Sequence, residues 1–86
     1  MSSVEEVNAG VARFGDEVGQ QVGAIRASAE ALDRSTAALR GITSGSSHSQ
    51  VSETIAKVEQ AKQKLAEAAA LTQSAIESSR GYAASF

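Results

Sequence analysis

Nucleophile and base chemistry has one place to sit in this chain. His48 is the only histidine, and Ser46, Ser47 and Ser49 flank it. A hydroxyl beside an imidazole suggests acyl transfer, but that chemistry also needs a group to orient the ring and a rigid oxyanion site. No neighbouring residue supplies either, so His48 reads as a solvated loop histidine, with a catalyst centred on it as the remote alternative. The carboxylates come as adjacent pairs, Glu5–Glu6 and Asp16–Glu17. Adjacent helical residues point about 100° apart and cannot face each other as an acid/base dyad. A single His without a flanking acid pair is a poor metal site, and with no cysteine there is no thiolate nucleophile, Cys-based site or disulfide. The stretch Gly41-Ile42-Thr43-Ser44-Gly45 lacks the lysine of a phosphate loop and follows a helical pattern rather than a strand. Lys57, Lys62 and Lys64 are interrupted by Glu59 and Glu67, and the formal charge is −2, so nucleic-acid binding has little support. No catalytic residue, cofactor, metal or small-molecule substrate is expected.

The elements that carry these residues are legible from periodicity. Ala, Ser and Gly make up 37 of 86 residues, proline is absent, and the large apolar residues number only 19. Val4, Val7, Val11, Phe14, Val18, Val22, Ile25, Ala29, Leu32, Thr36 and Leu39 recur at steps of three and four, all within about 100° of a helix circumference. The spacing predicts a helix over residues 3–40. Consecutive steps of four at Phe14, Val18 and Val22 form a stutter, which relaxes supercoiling locally. Val51, Ile55, Val58, Lys62, Leu65, Ala69, Thr72, Ile76, Ser79, Ala83 and Phe86 define a second, weaker stripe and a helix over about 49–84.

End signals agree with these limits. Ser3 with Glu6, and Ser47 with Gln50, fit capping boxes. Glu5, Glu6 and Glu53 lie near helix starts, and Arg34, Arg40 and Arg80 near helix ends, which complements the dipoles. Glu30–Arg34 and Glu53–Lys57 have the spacing of i,i+4 pairs, worth about 0.3–0.5 kcal/mol each. Between the helices, residues 41–50 form a Gly/Ser-rich connection, with Gly41 placed to end the first helix in a left-handed conformation and Gly45 in the turn. So short a link makes the helices antiparallel neighbours. The expected fold is all-α: one domain, residues 1–86, formed as a long αα-hairpin.

A lone hairpin leaves most of each helix in water, and 19 large apolar side chains barely offset the ordering of 86 residues. Pairing into a four-helix bundle or larger assembly is therefore expected, with a second copy or a cognate helical protein as partner. Two features off the stripes offer further contact surfaces. Gly15, Gly19 and Gly23 stand at i, i+4, i+8, where they either admit a close helix or simply loosen an exposed face. Leu71, with Ala68, Ala75 and Tyr82, forms either an assembly patch or ordinary scattered surface. No run of residues is apolar enough to span a membrane. The start, Met1-Ser2-Ser3-Val4-Glu5-Glu6, is acidic and unlike a cleavable leader, so the expected location is the cytoplasm, or export without one.

In its length and its helix, Gly-containing turn and helix, with an Ala/Ser-rich seam, the whole chain resembles the WXG-type (Esx-like) small proteins of type VII secretion. The family places Trp-x-Gly at the hairpin turn; here Gly45 takes the glycine place and Ile42 or Thr43 the aromatic place, with no Trp. The family also carries a C-terminal Tyr followed four residues later by an acid; here Tyr82 is followed by Phe86. The resemblance implies a hairpin that pairs with itself or with a larger, effector-type partner. The alternative is a structural subunit whose head-to-tail contacts build a helical filament.

Overall fold

The structure, a computed structural model, describes residues 3–86 and contains two helices, α1 (Val4–Ile42) and α2 (Ser49–Ala84), packed against each other as an all-α antiparallel hairpin. It is a rod of 64 × 15 × 15 Å. Between the helices runs a single narrow core. Its fully covered residues are Val22 and Thr36 on α1 and Ala69 and Ile76 on α2, with Val18 and Ile25 packed beside them. Ile76 is the most enclosed, at 2 % exposure.

Stripe and seam coincide along nearly all of α2: Val51, Ile55, Val58, Leu65, Thr72, Ser79 and Ala83 are half-buried around Ala69 and Ile76. Only Phe86, at the open end, stays outside. On α1 the agreement holds for Val7, Val11, Val18, Val22, Ile25, Leu32 and Leu39, and fails at two positions. Val4 is 51 % exposed, because the first turn projects at the open end of the rod. Phe14 also lies outside the seam, which runs Val7, Val11, Gly15, Val18, Val22. The pair of four-residue steps therefore falls one turn earlier than apolarity suggests. Gly15 takes the inward place beside Ile76: a Cβ on Gly15 would lie in ordinary contact, 3.7 Å from Ile76 Cγ2.

Polar seam positions are satisfied locally. The buried Thr36 hydroxyl donates to the Leu32 carbonyl at 2.7 Å. Lys62 lays its stem along the seam and reaches outward to Asp33 and Glu59.

The helix ends follow the sequence in part. Ser3 caps α1, its hydroxyl accepting from the Glu6 N–H at 3.1 Å. At the other end α1 continues through Gly41 and Ile42, so Gly41 is helical and not the left-handed terminator. Thr43 stops the helix instead: its N–H and its hydroxyl both donate to the Leu39 carbonyl, at 2.9 and 2.8 Å. The left-handed residue is Gly45, with φ 84°, in the middle of the connection. The N-cap of α2 is His48 and not Ser47; its Nδ1 accepts from the Gln50 N–H at 3.1 Å. Of the two expected i,i+4 pairs, Glu53–Lys57 forms at 3.1 Å, and among the described residues Glu30 and Arg34 are not joined.

Candidate interaction surfaces

No chemistry gathers at the turn. The Ser46 hydroxyl accepts from the His48 backbone N–H at 3.3 Å, and the ring's Nδ1 is engaged in the helix cap. Serine and imidazole are thus joined through the backbone, and among the described residues no hydroxyl is hydrogen-bonded to the ring. The cap requires a deprotonated Nδ1, because a protonated ring nitrogen is a donor and has nothing to offer the Gln50 N–H. Among the described residues there is no group of three or more metal-ligating side chains, and no helix is long and apolar enough to cross a membrane.

The outside of the rod is where the molecule presents organised surface. Its geometry follows from the seam by helical arithmetic. A residue one step beyond a seam position is rotated about 100° to one side, and a residue three steps beyond is rotated about 60° to the other. In an antiparallel pair the same sense of rotation on both helices leads to the same flank of the hairpin. One step beyond Val11, Val18, Ile25, Leu32 and Leu39 come Ala12, Gly19, Arg26, Asp33 and Arg40. One step beyond Val58, Leu65, Thr72 and Ser79 come Glu59, Ala66, Gln73 and Arg80. Five of these nine are charged.

This charged flank holds the ion pairs that tie the helices together. Lys62 bridges to Asp33 on α1 and to Glu59 on its own helix at 3.2 Å, and Arg40 lies 3.8 Å from Glu59. Hydrogen bonds that the Lys62 ammonium donates to Asp33 and then to Glu59 hold it above the ordinary lysine range, against an opposing loss of hydration. Asp33, Glu59 and Arg40 are about half exposed while the Lys62 side chain is mostly covered, so these pairs set register more than they add stability. Of the glycine row, Gly15 belongs to the seam, whereas Gly19 and Gly23 are open, with nothing within 4 Å of an added Cβ.

The other flank is different in kind. Phe14 and Tyr82 share a shallow hollow with Val7, Gly10, Val11 and Ser79, and Glu6 stands at its edge. The Tyr82 ring stands edge-on to Phe86, with centroids 5.0 Å apart. Leu71, three turns before Tyr82 on the same side of α2, is 75 % exposed. Ala68, Leu71, Ala75 and Tyr82 are all exposed on this side of α2, and Phe14 joins them from α1. Sequence reasoning missed Phe14 here because an aromatic residue within the width of an apolar stripe is assigned to the core by hydrophobicity alone.

Comparison of the chain with protein families, curated proteins and solved structures finds no match.

Proposed function

We propose that the chain is a non-enzymatic helical interaction module that completes its burial by packing lengthwise against other helices, in a four-helix bundle formed with itself or with the helical region of a larger partner. One observation carries this reading. The hairpin exposes 6194 Å², whereas a compact monomer of 8.8 kDa exposes roughly 4,800 Å². The surplus, roughly 1,400 Å², is on the scale of what a chain buries in a stable complex. Among the described residues only three apolar side chains, Val22, Ala69 and Ile76, are buried, so the free hairpin has little core with which to offset chain ordering. The WXG-like features of the sequence fit the same role and add a larger secreted partner, or export without a cleavable leader, as its setting.

Sedimentation and circular dichroism across a micromolar concentration series test the reading. The expected result is at least a dimer, with a melting temperature that rises with protein concentration. A fully helical monomer whose melting is independent of concentration, and which also fails to pair with a helical product encoded beside it, overturns it. A second reading, a head-to-tail filament, draws on Ile42, 83 % exposed at the turn end, and Phe86, 61 % exposed at the open end. Electron microscopy of the purified protein separates the two, since filaments favour the second.

A further inference from the structure

We infer that the uncharged flank is a self-complementary interface for a second copy of this chain, with the two turns lying at the same end of the resulting bundle. The inference rests on the assembly reading above and specifies its surface, its partner and its polarity.

The surface is set by two rows. Three steps beyond the α1 seam positions come Phe14, Gln21, Ser28, Ser35 and Ile42. Three steps beyond those of α2 come Thr54, Ala61, Ala68, Ala75 and Tyr82. All ten are exposed, and none is charged. Each row repeats at intervals of seven, the spacing that keeps a stripe facing a neighbour in a left-handed bundle. The core seam has this spacing too, so each helix carries two adjacent faces, as a member of a four-helix bundle must. Between the large end residues lie Ser28, Ser35, Ala61, Ala68 and Ala75, small enough to let helix axes come close, with Gln21 the one long polar side chain of the rows. A rod 64 Å long and 15 Å wide offers roughly 1,000 Å² on one flank, above the roughly 800 Å² per partner of a standard stable interface. The charged flank offers the same area, but covering it would strip water from Arg26, Asp33, Arg40, Glu59 and Arg80.

The partner and the polarity follow from how the rows are matched. Asp33 meets Lys62 and Phe14 sits beside Tyr82, so Ser28 lies level with Ala68, and Ile42 with Thr54. A two-fold axis along the rod lays α1 of one copy over α2 of the other without changing these levels. Phe14 then meets the second copy's Tyr82 twice, Ser28 and Ser35 meet alanines, and the four rings form one cluster at the open end. That end is where the single hairpin is worst covered, with Val4, Phe14, Tyr82 and Phe86 all exposed. Turning the second copy end over end would set each aromatic pair against Ile42 and Thr54 and leave no such cluster.

The chain has no cysteine, so a single spin label can be placed at Ser46→Cys in the turn. Distance measurement in the dimer is expected to give a separation within about 30 Å, set by the spacing of packed helices. In parallel, Ala68→Glu with Ala75→Glu is expected to weaken self-association about 100-fold, while Ala66→Glu with Gln73→Glu on the charged flank changes it by no more than about threefold. Circular dichroism at high concentration confirms that each variant remains helical. A dimer that is insensitive to Ala68→Glu and Ala75→Glu, or whose labels stand near the 64 Å rod length, overturns this inference and leaves the assembly reading intact. A wild-type protein that stays monomeric at high micromolar concentration overturns the choice of a second copy as partner. Binding of a foreign helical partner would then still sustain the assembly reading alone.

Discussion

One flank of the hairpin carries Arg26, Asp33 and Arg40 opposite Glu59 and Arg80; the other carries Ser28, Ser35 and Ile42 opposite Ala61, Ala68 and Tyr82. Both flanks border the same seam and have nearly the same area. The charged side keeps its carboxylates and ammonium groups in water and uses them across the helix pair, through Lys62, Asp33, Glu59 and Arg40. Among the described residues, the other side makes no ion pair between the helices. Its two aromatic residues shield a hollow only partly, and its alanines and serines are exposed. Solubility demands charge on any surface that remains in water, and one flank has it. On the second flank the row beside the seam, Phe14 to Ile42 and Thr54 to Tyr82, carries no charge, and Glu6, Glu17, Lys57 and Lys64 stand only at its outer border, as at the rim of a surface that is to be covered.

The most damaging change is one that removes the seam beneath both flanks. Ile76→Ala deletes the most enclosed side chain and leaves Gly15 and Val22 facing a gap; it should cost about 2–4 kcal/mol. In so thin a core, thermal unfolding should show loss of the cooperative transition rather than a modest shift. If Ile76→Ala melts like the parent, the seam is not what holds the flanks in place.

A gain of stability comes next. Gly19 lies in the charged flank's inner row and Gly23 beside it, and neither touches any other part of the protein. Replacing both with Ala should add about 1–2 kcal/mol by restricting the unfolded chain and favouring helix. Self-association, measured by sedimentation, should be unchanged or stronger. A clear weakening would mean that a partner helix approaches those glycines closely, and would move the interface to the charged flank.

The fold was open to reading because helical periodicity survives a composition poor in large apolar residues. Val22, Ile25, Leu32, Leu65 and Ile76 sit where steps of three and four put them, and Ala69 and Thr36 fill the seam where no larger residue stands. The site was only half open. Leu71 and Tyr82 stood off their stripe and could be seen as surface. Phe14 could not, since one residue's difference in where the long steps fall decides whether Phe14 or Gly15 points inward. Gly15 lies beside Ile76 of the other helix, a tertiary contact with no local signature. The turn shows the same limit. Gly41 has the type of a helix terminator, but Thr43 supplies two donors to the Leu39 carbonyl and ends the helix two residues later.

His48 adds a smaller and local effect at the end of the rod shared by both flanks. His48→Ala removes the acceptor for the Gln50 N–H and should cost about 1 kcal/mol, with fraying confined to the first turns of α2 in hydrogen exchange. His48→Asn, a stronger cap, should restore or exceed the parent stability. An Ala variant as well protected as the parent around Val51 would show that the imidazole does not cap the helix.

The smallest expected effect lies on the charged flank and is read by pH. Lys62 is held protonated by Asp33 and Glu59, so its folded-state value is raised above that of the unfolded chain. A raised value means that the folded protein binds the proton more tightly than the unfolded one. The contribution of Lys62 is therefore complete below the ordinary lysine range and disappears as pH rises through the raised folded value. Lys62→Met keeps the stem in the seam and removes the charge. Its melting temperature should lie slightly below that of the parent near neutrality, and the gap should close at strongly alkaline pH and narrow with added salt. The uncharged flank supplies the control, since Ser28→Ala contains no titrating group and its difference from the parent should stay constant over the same pH range. If the Lys62→Met gap also stays constant, the charge of Lys62 adds nothing to stability, and the charged flank owes its exposure to solubility rather than to any hold on the helices.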